Sequence, residues 1–105
     1  MKQAADVTGE KLWPMPMPKE LRSKLDSDVA DLINSKLGDP AGSMLVGAHF
    51  LSEFVGTRKI DGKKLSWAHL DIAGSANNDG SAYGYTPKGA TGVMLRTLVE
   101  VAKSL

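Results

Sequence analysis

The sequence has no cysteine, almost no excess charge and no long apolar run, and each lack removes a class of protein. Without cysteine there is no disulfide framework, no thiolate metal site and no cysteine nucleophile, a composition that suits a reducing compartment. Thirteen basic against twelve acidic side chains leave a formal charge of +1, too small a field to steer nucleic acid or anionic lipid, so neither is expected as a partner. No apolar run approaches the roughly 20 residues that span a bilayer. The string Met1-Lys2-Gln3-Ala4-Ala5-Asp6 has no apolar stretch behind its lysine, as a secretory signal would. A cytoplasmic protein is the expectation.

What is present is ordinary for a small globular domain: 105 residues, 42% apolar and 24% charged. A chain of this size buries about 60–70% of its surface on folding. Trp13-Pro14-Met15-Pro16-Met17-Pro18 places proline at every second position, which fixes φ and removes amide donors, so this stretch is extended connection. Pro18 suits the first position of a helix, with Leu21, Leu25, Val29 and Leu32 at helical spacing and Asp26-Ser27-Asp28 as a break. A second helix is expected from Asp39-Pro40 to Gly56. In it His49, Ser52 and Glu53 form one narrow polar stripe on an otherwise apolar cylinder that must be packed on several sides. Residues 57–64, lysine-rich and holding Asp61-Gly62, read as a solvated connector.

Leu65 to Ala73 alternates, with Ala68, Leu70 and Ile72 on one side and Trp67, His69, Asp71 and Ala73 on the other, the period of a strand. Residues 74–92 carry glycines at 74, 80, 84, 89 and 92 together with Asn77-Asn78-Asp79; such long loops usually have work to do. A last helix is expected from Thr91 to Leu105, apolar except for the line Arg96, Glu100 and Lys103. Helices around one strand suggest a slice of a layered α/β domain, since a single strand cannot make a sheet.

Few residues form a chemical constellation. His49 and Glu53 on a helix, with His69 and Asp71 on a strand, could offer four ligands to a metal. The simpler reading leaves the first pair on the polar stripe and the second hydrogen-bonded to nearby backbone. No Gly-x-Ser-x-Gly elbow surrounds Ser75. Gly89-Ala90-Thr91-Gly92 could offer amides to an anion, or serve only as a turn and helix cap. In α/β sheets ligands collect beyond the carboxyl ends of strands. Ala73, Gly74, Ser75 and Ala76 are therefore candidates for a pocket wall whose small side chains leave space for a substrate.

Several blocks in the same order resemble one family. Trp67-Ala68-His69-Leu70-Asp71-Ile72-Ala73-Gly74, then Lys88-Gly89-Ala90-Thr91-Gly92 and Arg96-Thr97-Leu98, look like the C-terminal end of the cytosolic leucyl aminopeptidases, in their bacterial form. Trp13-Pro14-Met15-Pro16 resembles that family's Trp-x-Met-Pro element, and Phe50-Leu51-Ser52-Glu53-Phe54-Val55 its Phe-Leu-x-x-Phe-Val helix.

The resemblance implies a two-domain metallo-exopeptidase, usually a homohexamer, that removes N-terminal residues from peptides with two divalent ions, manganese, zinc or magnesium. These residues would be the C-terminal part of its α/β/α catalytic domain, a single segment from 1 to 105. The family's N-terminal domain and metal-binding blocks are absent from the sequence, so no catalytic residue or metal ligand carries over. The pocket wall does: Ala73 and Ala76, with Gly74 between them, match positions that line the pocket for the substrate's N-terminal side chain. His49 departs from the family's small or aliphatic residue, and Ser75-Ala76 stands where the family varies and pocket width changes.

The expectation is therefore a segment that shapes a reaction chamber and is inactive alone. The alternative is a free-standing interaction or oligomerisation module without catalysis. A metal enzyme using His49 and His69 stands behind both.

Overall fold

The computed structural model describes residues 1–35 and 38–105, which divide into two compact units, residues 1–14 with 70–105 and residues 15–69. In the first unit, helix α1 (Lys2–Thr8) ends on Gly9 at φ 75°, a left-handed position that glycine reaches without a Cβ clash. Helix α3 (Leu95–Lys103) packs on α1, and their shared core holds Ala5, Met94 and Thr97, all nearly or fully buried. Between the helices the chain forms a hairpin. β1 (Asn77–Asn78) pairs antiparallel with β2 (Gly89–Ala90), Asn77 opposite Ala90 and Asn78 opposite Gly89. A further bridge joins Tyr83 and Thr86. The long glycine-rich segment is thus paired across its middle.

In the second unit a 3-10 helix, Lys19–Leu25, packs on helix α2 (Ser43–Ser52). Pro18 caps the 3-10 helix in extended conformation, and Asp26 leaves it extended at ψ 139°; no helical turn follows at Val29 and Leu32, so Asp26-Ser27-Asp28 ends the expected helix instead of dividing it. Leu25 is fully buried, with Val46, Ala48 and His49 around the same small core. The expected start of α2 is visible as an Asp39 turn, in which the Ala41 amide donates to Asp39 Oδ1 at 3.2 Å. The helix itself begins only after Gly42, at φ 69°. Its end winds down in three-residue turns, Phe54 N to Leu51 O at 3.2 Å and Val55 N to Ser52 O at 3.3 Å. The lysine-rich connector is a tight hairpin with Thr57 bridged to Lys64.

Two expectations are corrected. The strand from Leu65 to Ala73 does not form: residues 65–72 run without regular structure and 73–75 turn. A strand exists only by pairing its amides and carbonyls with a neighbour, and the described residues contain no ladder apart from β1 with β2. Helices and a small antiparallel sheet make the described chain α/β. The helices are also not enclosed. Leu95, Leu98 and Val99 of α3 and Met44 and Leu51 of α2 are each about half exposed, while the largest fully buried side chains are only Leu25 and Thr97.

Candidate functional site

Ala73, Gly74 and Ala76 sit on a turn held by backbone hydrogen bonds. The Asp71 carboxylate accepts from the Ala73 amide at 3.1 Å, the short-range Asx bond that aspartate favours at turns. The Ser75 and Ala76 amides both donate to the Ile72 carbonyl, at 3.0 and 2.9 Å. On the far side Thr91 closes the turn: its hydroxyl donates to the Ser75 carbonyl at 2.6 Å and its amide to the Ala76 carbonyl at 3.0 Å. Ala73, Gly74 and Ser75 are exposed and Ala76 is half-buried. A Cβ added at Gly74 would meet nothing within 4 Å. The expected wall residues thus lie on one turn with small side chains, Ala73 and Gly74 exposed and Ala76 half-buried. The shallow open depression on α1, lined by Lys2, Ala5, Asp6, Gly9, Glu10 and Lys11 among others, does not include them.

The four candidate metal ligands each have other engagements. His49, expected on the helix's polar stripe, is buried, and its Nε2 lies 2.9 Å from the Pro18 carbonyl oxygen. That bond satisfies a ring nitrogen that burial would otherwise leave costly, and it ties α2 to the start of the 3-10 helix. Glu53 accepts from Arg22 Nε at 2.6 Å, and this bond raises the Arg22 pKa, against an opposing effect of desolvation. His69 stacks on Trp67 with ring centroids 6.2 Å apart. Asp71 serves the wall turn. Among the described residues no group of three or more histidine, cysteine, aspartate or glutamate side chains could hold a metal ion.

The start of the last helix meets an anion at Met94 and Thr97, not at Gly89–Gly92, and the anion is the chain's own. Glu10 is buried and spans the N-terminus of α3. Its Oε1 accepts from the Met94 amide at 2.9 Å, and its Oε2 accepts from the Thr97 amide at 2.9 Å and the Thr97 hydroxyl at 2.7 Å. Met94, the residue before the helix, stands at φ 68° and gives the helix no side-chain cap. The capping role therefore falls to a carboxylate from a distant segment, placed where the helix dipole favours negative charge. Burial pushes the Glu10 pKa up, but the Thr97 hydroxyl, the Thr97 and Met94 amides and the nearby Arg96 charge outweigh it and hold the carboxyl below its ordinary value. Arg96 completes the cluster, 3.7 Å from Glu10 Oε1 and with its guanidinium 3.7 Å above the Tyr85 ring.

Sequence reasoning placed Arg96 on a polar line of the last helix and gave Glu10 no role. A contact across 87 positions leaves no mark in periodicity or spacing; the one local hint was an acidic residue directly after the Gly9 helix stop.

Comparison with known proteins adds an independent line. The profile of the cytosol aminopeptidase family, catalytic domain, matches residues 1–99. A probable cytosol aminopeptidase of Clavibacter michiganensis subsp. michiganensis is 50% identical over 101 residues, which cover 94% of this chain and 20% of that protein. The corresponding protein of Streptomyces coelicolor is also 50% identical, over 96% of this chain and 18% of its own length. That of Micrococcus luteus is 52% identical over 91% and 19%. The chain thus spans about a fifth of the length of the curated relatives it matches. No solved structure matches it.

Proposed function

Since the chain belongs to the cytosol aminopeptidase family, we propose that it acts as the C-terminal part of the catalytic domain of a leucyl-type metallo-aminopeptidase. The whole enzyme hydrolyses N-terminal residues from peptides in the cytoplasm and assembles as a homohexamer. Two divalent ions, manganese, zinc or magnesium, are held by ligands outside these 105 residues. Within that enzyme the segment supplies form, not reacting groups: Ala73, Gly74 and Ala76 line the pocket for the substrate's N-terminal side chain.

The observation that carries this reading is the exposed turn at residues 73–76. Its side chains are small, and the Ala73, Ser75 and Ala76 amides and the Ser75 and Ala76 carbonyls are hydrogen-bonded. Such a surface offers an aliphatic side chain contact, and a pocket of this kind separates substrates by bulk, at about 1–3 kcal/mol per methylene. The half-exposed leucines and valine of α3 fit a segment meant to be covered by further chain, because burying each would contribute about 1.5–3 kcal/mol.

The test is Ala73→Phe in the complete enzyme. Turnover of leucyl substrates is expected to fall by at least tenfold while metal content stays at the wild-type level; wild-type turnover would refute the pocket. Solution mass of residues 1–105 alone checks the segment reading itself. Aggregation or partial unfolding agrees with a part of a larger domain, and a monodisperse oligomer with a free-standing module.

A further inference from the structure

We infer that Thr91 is a positioning residue that sets the width of the substrate side-chain pocket, by holding the wall turn to the chain that enters α3. The inference rests on the wall reading proposed for Ala73, Gly74 and Ala76 and deepens it.

A wall made of two methyl groups and a glycine cannot be fixed by side-chain packing. Ala73 and Gly74 are exposed, and the space at Gly74 is open. Its position is set by the hydrogen bonds its main chain makes. Those from Asp71 and Ile72 are local: they define the shape of the turn but tie it to nothing beyond residues 71–76. The links to the rest of the first unit are the β1–β2 ladder, which begins at Asn77, and Thr91, which holds two consecutive carbonyls. Its hydroxyl donates to Ser75 O at 2.6 Å and its amide to Ala76 O at 3.0 Å.

The same hydroxyl oxygen accepts from the Val93 amide at 3.3 Å. One side chain therefore joins the wall to the α3 entrance, which Glu10 in turn fixes through Met94 and Thr97. The ladder between β1 and β2 runs directly beside this clamp, with Asn77 opposite Ala90, and the Thr91 hydroxyl both donates a hydrogen bond and accepts one. Loss of the hydroxyl leaves the amide bond to Ala76 in place, so the turn survives but can shift at Ser75. A shift at that point moves the surface met by long side chains and leaves an alanyl methyl, which does not reach the wall, unaffected.

The experiment uses the full-length aminopeptidase carrying these residues, with leucyl, phenylalanyl and alanyl p-nitroanilides. In Thr91→Val the KM for the leucyl and phenylalanyl substrates is expected to change by roughly 3- to 10-fold, the effect of one hydrogen bond. The alanyl KM, all kcat values and the metal content stay within about twofold. Thr91→Ser, which keeps the hydroxyl, restores the wild-type pattern. A purely structural role would lower the active fraction for every substrate alike.

Thr91→Ala, also lacking the hydroxyl, stands in if the valine variant fails to fold. If both fail while Thr91→Ser folds, the hydroxyl serves folding and the inference is overturned. Ala73→Phe measured in parallel separates the two levels. If it blocks leucyl turnover while Thr91→Val changes no KM, the positioning role fails alone; if Ala73→Phe keeps wild-type turnover, the wall reading fails with it.

Discussion

The two units solve the same problem, holding one helix against a short partner, with different chemistry. In residues 15–69, α2 and the 3-10 helix meet over Leu25, fully buried, with one neutral tie inside, His49 Nε2 to the Pro18 carbonyl, and ion pairs at the rim, Arg22 to Glu53 and Lys24 to Asp39. In the other unit, α1 and α3 meet around Ala5, Met94 and Thr97, and the tie at the centre is an ionised carboxylate. An apolar contact tolerates small errors of geometry. A buried charge does not, because every acceptor left unpaired costs about as much as several good contacts return. The unit that carries the proposed pocket wall is therefore the one whose helix is fixed by a buried charge.

Mutations can break this contrast, and the largest effect is expected in the apolar unit. Leu25→Ala should cost about 2–5 kcal/mol, read in the full-length enzyme as lost amide exchange protection in α2. Glu10→Ala comes next, at roughly 2 kcal/mol, for a lost cap together with buried Thr97 donors left without an acceptor. Its protection loss should centre on α3, and Glu10→Gln should lose less.

The Glu10 effect also carries a pH signature. The carboxyl titrates lower in the folded chain than its ordinary value, so its contribution is present above the unfolded value of about 4.3 and disappears as pH falls through the folded value. Exchange at Thr97 and Leu98 should accelerate in that acid window, and Glu10→Gln should flatten the dependence. The smallest effect belongs to Arg22→Met. It breaks an exposed pair that molar salt already screens, and the denaturation midpoint should hardly move.

How much of this could be read from the residues depends on the range of the forces involved. The centres of α2 and α3 were legible because apolar density is a local property, but both expected helices were too long. Their starts are set by left-handed residues, Gly42 at φ 69° and Met94 at φ 68°, and nothing in the composition marks a methionine for that conformation. Helix α1 went unread, since Ala5 is its only buried residue and leaves no periodic pattern. The alternation at residues 65–73 was real as a pattern, yet ladder formation depends on a neighbouring strand that the described residues do not contain. His49 looked polar in sequence and proved buried because a carbonyl 31 positions away meets its ring. The wall residues were legible as small residues in a row. Their clamp was not, because Thr91 reads as a helix cap until the Ser75 carbonyl is seen beside it.

The bond between Glu10 and Thr97 also sets a schedule. It closes a loop of 87 positions, against 31 for the link from Arg22 to Glu53, a difference of about 1 kcal/mol in closure entropy. On the ribosome residues 15–69 can find their partners as they emerge. The first fourteen residues must wait, with Glu10 solvated, until residue 97 has been synthesised, so the surface around the proposed pocket is among the last parts of the chain to take shape.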